Sequence, residues 1–172
     1  MGENRIKLVA ADMDGTLLNR ERKITKYTQN VIKKAMAQGV YFVPATGRAV
    51  NALPPELKEM EGIRYGIFSN GATIYELKEE KVIYKNHFEM DRVLELMDFL
   101  KQFALMESIS LNGQSYANKN EMENIDYYEL DSNTKAIVQG SRVLVDDLEM
   151  FVKEQSTTVE KTTLLFKTME ER

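Results

Sequence analysis

An apolar run that ends in two carboxylates constrains the fold of this chain more than any other stretch. Residues 8–11 read Leu-Val-Ala-Ala without polar alternation, and Asp12 and Asp14 follow, one residue apart. Continuous apolar residues are typical of a strand that is covered on both faces of a parallel sheet. Ligands of open α/β sheets bind at the carboxyl ends of such strands. The run therefore predicts a buried first strand that opens into a site containing Asp12 and Asp14.

The spacing of the two carboxylates indicates the chemistry of that site. Asp12 at the strand end and Asp14 two positions later can point to the same side. Like charges that close require a cation or a shared proton, and a divalent ion with oxygen ligands, usually Mg²⁺ beside phosphate, meets that requirement. One carboxylate can then attack phosphorus while the other moves a proton to the leaving group. Gly15 allows the backbone to approach a ligand closely. The alternative is an acidic turn without chemistry.

A helix and a second strand are predicted directly after this loop. Thr25 is a suitable N-cap, apolar positions recur at helical spacing, and Gly39 is a suitable residue just beyond the last helical turn. Residues 40–45 then predict a strand. A strand, a helix and a strand joined by short connections form a right-handed βαβ unit, in which the two strands are parallel neighbours.

The second strand also ends in residues that suit a phosphate. Thr46 follows it directly, and parallel pairing places Thr46 beside Asp12. A threonine hydroxyl can donate to a phosphoryl oxygen, and Gly47 and the amides that follow add further donors. The alternative is a helix N-cap threonine followed by a surface arginine, Arg48.

Together the two motifs resemble those of the haloacid dehalogenase superfamily. Residues 12–18 read Asp-Met-Asp-Gly-Thr-Leu-Leu, which is similar to the first motif, and residues 46–48 have the Thr-Gly-Arg form of the second motif in the Cof-like branch. The resemblance implies a phosphatase that forms an aspartyl-phosphate on Asp12, with Asp14 as general acid/base. It further implies that Mg²⁺ is held by the Asp12 carboxylate and the Asp14 backbone carbonyl. The implied phosphate-binding residues are Thr46, Gly47 and Arg48.

We expect an α/β fold: an incomplete Rossmann-like parallel sheet core with an inserted, partial α+β cap. Residues 65–69 predict a third strand, and Asn70 begins a segment that resembles the Cof-like connection from core to cap. Asn70 either faces the site or serves only as a turn residue. We expect the core to comprise residues 1–85. The cap is expected over residues 86–172, with helices on one face of an antiparallel sheet.

Two parts of the family pattern have no counterpart in this sequence, namely the third-motif lysine and the fourth-motif pair of acids. Asp146 and Asp147 follow a short apolar strand and imitate the fourth motif, but we expect them to cap the next helix. The chain is therefore expected to be a fragment of a longer protein. Its first strand should lack a neighbour, and its activity alone should be very low.

Composition limits the partners of the protein. The net charge is −4 and there is no long Lys/Arg cluster, so nucleic acid is not an expected partner. There is no cysteine, and no stretch is long and apolar enough to span a bilayer, which predicts a cytoplasmic protein without a membrane partner. His87 is the single histidine and has no companion for a metal site.

The predicted function is Mg²⁺-dependent hydrolysis of a small phosphorylated metabolite, for which the resemblance implies a sugar phosphate, flavin mononucleotide or pyridoxal phosphate. Two alternatives stay open. One is a phosphosugar mutase of the same superfamily, and the other is a non-catalytic binding or regulatory module. The sequence does not indicate an oligomeric state.

Overall fold

The structure is a computed structural model that describes residues 6–168. The chain divides into two compact units, of which one ends at Asn86 and the other begins at His87. Each unit has its own sheet and is described by itself. The sequence places the boundary after residue 85, and the role of the second unit as a cap stays a prediction.

The first unit is built on a five-stranded sheet. Strands β1 to β5 lie side by side in chain order. β1 pairs with β2 and β2 with β3 in parallel, whereas β4 and β5 form an antiparallel hairpin beside β3. The α/β fold with a parallel core is thus confirmed. The strands are β1 (Leu8–Asp12), β2 (Tyr41–Ala45), β3 (Tyr65–Phe68), β4 (Thr73–Glu76) and β5 (Lys81–Lys85).

The connection between β1 and β2 contains helix α1 (Lys26–Ala37). The Thr25 hydroxyl caps it by accepting a 3.1 Å hydrogen bond from the Thr28 amide. Gly39 follows the helix with φ of 84°, a left-handed conformation that favours glycine. The connection from β2 to β3 contains fewer helical residues. It has one helical turn at Val50–Ala52 and the short helix α2 (Pro55–Lys58). Both helix boundaries of α1 agree with the sequence prediction.

A hydrophobic core lies between this sheet and its helices. Met13, Leu57 and Phe68 are completely buried there. The remaining buried members are Leu18, Ile24, Ile32, Phe42, Leu53, Met60 and Ile63.

The prediction of a first strand covered on both faces is wrong for its first residues. Leu8 is 55% exposed and Val9 is 37% exposed, although Ala11 packs against the core. The reason is position in the sheet: within residues 6–168 only β2 pairs with β1, so β1 is an edge strand. A continuous apolar run is typical of a central strand with a neighbouring strand on each side. β1 has a neighbouring strand on one side only.

The second unit contains a four-stranded sheet in the order β8-β7-β6-β9. Asn112 and Gly113, both with positive φ, form the tight turn between β6 and β7, a conformation that an Asn-Gly pair favours. The strands are β6 (Leu105–Leu111), β7 (Gln114–Asn118), β8 (Arg142–Val145) and β9 (Lys161–Phe166). The helices are α3 (Met90–Leu100), α4 (Lys119–Glu123), α5 (Ser132–Ser141) and α6 (Leu148–Lys153). None of the helices between residues 6 and 168 is long and apolar enough to cross a membrane.

Two features of this sheet differ from the expectation of an antiparallel sheet with helices on one face. β8 is parallel to β7, because residues 119–141 form a crossover that returns the chain to the same end of the sheet. The sheet is also covered on both faces. Val93 of α3 packs with Ile109 on one face, whereas Met122 of α4 packs with Met106 on the other.

Glu107 is a buried acid in the middle of this unit. Its side chain on β6 is 8% exposed, and its Oε1 has no hydrogen-bond partner in the described structure. Burial, helped by the charges of Glu121 and Glu149, raises the pKa of the Glu107 carboxyl to about 7. The folded chain therefore binds a proton at Glu107 that the unfolded chain releases between about pH 4.5 and pH 7. Ionisation of Glu107 consequently lowers the stability of the fold as the pH rises through this interval.

The change Glu107→Gln should raise the free energy of unfolding at pH 8 and leave it nearly unchanged at pH 4. Glutamine matches the protonated acid in shape and cannot ionise. The expected gain at pH 8 is on the order of 2 kcal/mol, since one pKa unit corresponds to about 1.4 kcal/mol. Urea denaturation at both pH values measures it, with the exposed Glu123→Gln as control. An equal effect of Glu107→Gln at both pH values would contradict the assignment.

Candidate active site

The parallel strands bring the ends of the two predicted motifs together. Asp12, the last residue of β1, pairs with Ala45, the last residue of β2, and Thr46 follows Ala45 directly. The Thr46 amide donates to the Ile67 carbonyl of β3 at 2.9 Å. Asp12 and Thr46 therefore lie at neighbouring positions on the carboxyl edge of the sheet, 34 positions apart in the chain.

Asp14 and Arg48 form the strongest polar contact at this edge. The Arg48 Nε donates to Asp14 Oδ2 at 2.9 Å, and Nη2 donates to Oδ1 at 2.6 Å. Two parallel bonds between a guanidinium and a carboxylate give a geometrically specific pair. The turn that presents Asp14 depends on Gly15, whose φ of 81° is in the left-handed region. The Asp14–Arg48 pair ties the first motif to the second.

The phosphate-binding role that the family resemblance implies for Arg48 stays a prediction. In this structure both charged bonds of Arg48 go to Asp14. Its remaining group, Nη1, donates to the Ala52 carbonyl at 3.3 Å. This pairing could not be predicted from the sequence. A Thr-Gly-Arg motif specifies the backbone position of Arg48, but not which group its long side chain contacts.

Thr46 is almost fully buried, at 6% exposed. Its Oγ1 accepts a 3.1 Å hydrogen bond from the Arg48 amide. A hydroxyl that accepts one bond can still donate its own proton, which suits a phosphoryl oxygen at the sheet edge. Gly47 follows with little space around its α-carbon, because an added Cβ would lie 2.5 Å from Asn70 Oδ1.

A strained loop after β3 supports the second motif. Ser69, Asn70 and Gly71 all have positive φ, at 52°, 58° and 94°. The Ser69 amide donates to the Arg48 carbonyl at 2.9 Å, and the Asn70 amide donates to the Thr46 carbonyl at 3.2 Å. Left-handed non-glycine residues require support from their surroundings and cluster at functional sites. The sequence indicated Asn70 as a possible turn residue, but not that the Ser69 and Asn70 amides hold the backbone of the second motif.

The acidic residues at this site offer the oxygen ligands that suit Mg²⁺, but there are few of them. The Asp12 carboxylate is exposed, with only a long 3.4 Å contact from the Thr16 hydroxyl, and oxygen is the ligand that Mg²⁺ prefers. The Asp14 carboxylate is bound to Arg48, so its backbone carbonyl is the group that fits a metal. Residues 6–168 contain no cluster of three or more acidic, histidine or cysteine residues that could hold a metal.

Asp146 and Asp147 lie in the second unit. The Asp147 carboxylate accepts a 2.8 Å bond from the Met150 amide and caps α6, as the sequence predicts.

The fold and the arrangement of these motifs define a class of protein. Residues 9–172 match the haloacid dehalogenase-like hydrolase family, and the chain belongs to that family. The resemblance that the sequence showed is thereby confirmed.

Individual relatives agree with this family. A provisionally named phosphatase of Buchnera aphidicola subsp. Schizaphis graminum is 37% identical over 121 residues, which cover 69% of this chain and 43% of the relative. The 5-amino-6-(5-phospho-D-ribitylamino)uracil phosphatase YcsE of Bacillus subtilis is 36% identical over 89 residues, covering 49% of this chain and 36% of the enzyme. The chain thus spans less than half the length of these curated relatives.

A solved structure supports the fold. A haloacid dehalogenase-like hydrolase from B. subtilis superposes with a TM-score of 0.70 at 21% identity, covering 90% of this chain and 59% of the other.

Thr46→Val should destabilise the chain by about 1–2 kcal/mol, because the Arg48 amide loses its acceptor while the side-chain shape is kept. Thr46→Ser retains the hydroxyl and should cost less. Urea denaturation of the three proteins measures the difference, and Thr16→Val, at an exposed threonine of the same site, is the control. Equal stability of Thr46→Val and wild type would show that this hydrogen bond does not hold the second motif.

Proposed function

We propose that this chain carries the nucleophile half of a phosphatase that hydrolyses small phosphate monoesters. The observation that supports the proposal most directly is the position of Asp12 beside Thr46 at the carboxyl edge of the sheet. In a chain of the haloacid dehalogenase-like hydrolase family, this position supports a role for Asp12 as the carboxylate nucleophile and for Thr46 as a hydrogen-bond donor to the phosphoryl group.

In the proposed mechanism Asp12 attacks phosphorus. A bond forms between an Asp12 carboxylate oxygen and phosphorus while the ester bond breaks. Asp14, released from Arg48 and protonated when the substrate binds, gives its proton to the departing oxygen. Water then attacks the phosphorus of the aspartyl-phosphate, with Asp14 taking the proton, and inorganic phosphate and the free Asp12 carboxylate are released.

Three further residues support these steps in the proposal. The Thr46 hydroxyl and the backbone at Gly47 bind phosphoryl oxygens. Arg48 contacts the Asp14 carboxylate through two hydrogen bonds in this structure, and its positive charge is proposed to help bind the phosphate. Mg²⁺ held by the Asp12 carboxylate and the Asp14 carbonyl would neutralise charge that develops on the phosphoryl group.

The proposed substrate is a small phosphorylated metabolite of the sugar phosphate, flavin mononucleotide or pyridoxal phosphate type. The relative YcsE, a 5-amino-6-(5-phospho-D-ribitylamino)uracil phosphatase, supports a small phosphorylated substrate. The second unit is the proposed cap that selects among such substrates, since lids commonly seclude phosphoryl chemistry from water.

One observation favours a non-catalytic binding module instead. The first unit offers only Asp12 and Asp14 at the site, and the described residues hold no larger cluster of metal ligands. Mg²⁺ takes six oxygen ligands, so with two residues of this chain most of them would have to come from water and the substrate phosphate. The assays below distinguish the two functions.

In the full-length protein, Asp12→Asn should abolish hydrolysis of an aryl phosphate and prevent trapping of an acid-labile phosphoenzyme. Asp14→Asn should lower kcat by roughly a hundred- to ten-thousand-fold while the protein still binds substrate. Asp147→Asn, which keeps the cap of α6, is the matched control and should retain activity. Full activity in Asp12→Asn, or none in wild type, would refute the enzyme and favour the binding module.

The metal and the missing ligands can be tested together. The full-length protein should lose turnover in the presence of a chelator and regain it with Mg²⁺. The 172-residue chain alone should be slower by on the order of a hundredfold or more, because the preorganised charges around the phosphate are incomplete. Comparable Mg²⁺-dependent turnover of both proteins would show that residues of this chain complete the site.

A further inference from the structure

One edge of the sheet in the second unit is open. β8 pairs with β7 and with no further strand of residues 6–168. Val143 and Leu144, in the middle of β8, are 45% and 44% exposed. Their side chains point to opposite faces of the sheet, because side chains alternate along a strand. An open strand with apolar side chains on both faces is a template for pairing with another strand.

The residues at this edge have a self-complementary order. Residues 142–146 read Arg-Val-Leu-Val-Asp, and we call them the β8 edge. Two copies of the β8 edge related by a two-fold axis at Leu144 run antiparallel to each other. Leu144 then lies opposite Leu144 of the partner subunit, and Val143 lies opposite Val145 of the partner subunit. Arg142 lies opposite Asp146 of the partner subunit, and the symmetry repeats each pair.

These pairs also match in the face of the sheet that they occupy. Arg142, Leu144 and Asp146 are two residues apart, so in an extended ladder they share one face, and the valines share the other. Opposite charges and β-branched side chains that lie directly across from each other stabilise antiparallel strands. A shift by two residues keeps the faces but places Arg142 opposite Leu144 of the partner subunit. The charges therefore favour a single register.

Arg142 has donors to offer a carboxylate. Its Nη1 donates to Ser141 Oγ at 2.7 Å and its Nη2 contacts Ser108 Oγ at 3.5 Å, so these bonds go to neutral hydroxyls. Its Nε has no hydrogen-bond partner in the part of the chain that the structure describes. A guanidinium carries five N–H donors. Asp146 is exposed, and four residues of extended chain place it about 13 Å from Arg142 of its own subunit, which favours a partner on another strand.

The open edge strand of the first unit lacks this pattern. β5 is exposed along its whole length and reads Lys-Val-Ile-Tyr-Lys. A two-fold axis at its middle residue, Ile83, places Lys81 opposite Lys85 of the partner subunit, and like charges directly across from each other repel. Lysines on an edge strand are a common protection against pairing. We therefore expect β8 to pair and β5 to remain open.

We propose that two copies of this chain associate through their β8 edges, which pair antiparallel and join two four-stranded sheets into one sheet of eight strands. The occupant of the β8 edge is thus a second copy of the chain. The contact involves only the second unit and is independent of the hydrolysis proposed for Asp12. Five residue pairs form less than a standard interface, so we expect a Kd on the order of 100 μM.

The test is sedimentation equilibrium of the 172-residue chain at concentrations that bracket this Kd. We expect a reversible equilibrium between monomer and dimer. Asp146→Arg turns both charge pairs into repulsions and should weaken association by about tenfold or more. Glu123→Arg makes the same change of charge at an exposed glutamate of α4 and should associate as wild type does.

A mixture of two variants tests the register. Arg142→Asp gives an edge with aspartate at both ends, and Asp146→Arg gives an edge with arginine at both ends. Each variant should be monomeric by itself. The mixture should form a heterodimer with nearly the wild-type affinity, because every charge again lies opposite its counterpart. A general loss of structure in either variant would not produce this rescue.

A third variant tests the edge without changing Arg142, in case Arg142→Asp does not fold. Leu144→Lys places two lysines across from each other at the two-fold axis and should abolish association. Its position is 44% exposed, so the fold should tolerate the change. Val82→Lys on β5, at a valine that is 47% exposed, is the matched control and should dimerise as wild type does.

Four outcomes would overturn the proposal. The wild-type chain could remain monomeric across the concentration range, or two folded charge variants could fail to form a heterodimer. A dimer that Asp146→Arg and Leu144→Lys leave unchanged would use another surface. A dimer of the 172-residue chain that is absent from the full-length protein would show that another segment covers the β8 edge. None of these results depends on turnover at Asp12, so the two proposals fail separately.

Discussion

Parallel pairing of β1 with β2 is the constraint on which the candidate active site depends. The register from Leu8 opposite Tyr41 to Asp12 opposite Ala45 brings two motifs to the same edge although helix α1 separates them in the chain. The pairing is possible because the helix returns the chain to the start of the neighbouring strand. A shift of one residue would turn the side chains of the strand to the opposite face and separate Asp12 from Thr46.

The loops that follow these strands are held by one another. Arg48 binds the Asp14 carboxylate, and the strained turn Ser69–Gly71 donates two backbone hydrogen bonds to the segment Thr46–Arg48. Three consecutive left-handed residues are unfavourable by themselves, so the surrounding contacts must maintain them. These contacts hold the loops of the candidate active site against one another, and fixed donors are what electrostatic stabilisation of a phosphoryl group would require.

Two buried polar side chains of the second unit each have an atom without a hydrogen-bond partner. Glu107 on β6 carries an oxygen without a partner, and Arg142 on β8 carries a nitrogen without one. They lie on opposite faces of the same sheet, since Glu107 is one position from Ser108, on whose face Arg142 stands. Because the two groups are on different faces, they do not neutralise each other, and each shapes the chemistry of its own side of the sheet.

The sequence by itself determined the local elements and the identity of the motifs. Short stretches of sequence specify these features, because backbone preference and periodicity act locally. They are the helix caps at Thr25 and Asp147, the turn at Asn112-Gly113 and the carboxylates after β1. Only the tertiary structure decided the partners of long side chains and the exposure of strands. The pair Asp14–Arg48, the exposure of Leu8 and Val9, the parallel β8 and the burial of Glu107 each depend on contacts between distant segments. No local pattern specifies such contacts, because the same side chain can reach several neighbours and the same strand can lie at the centre or the edge of a sheet.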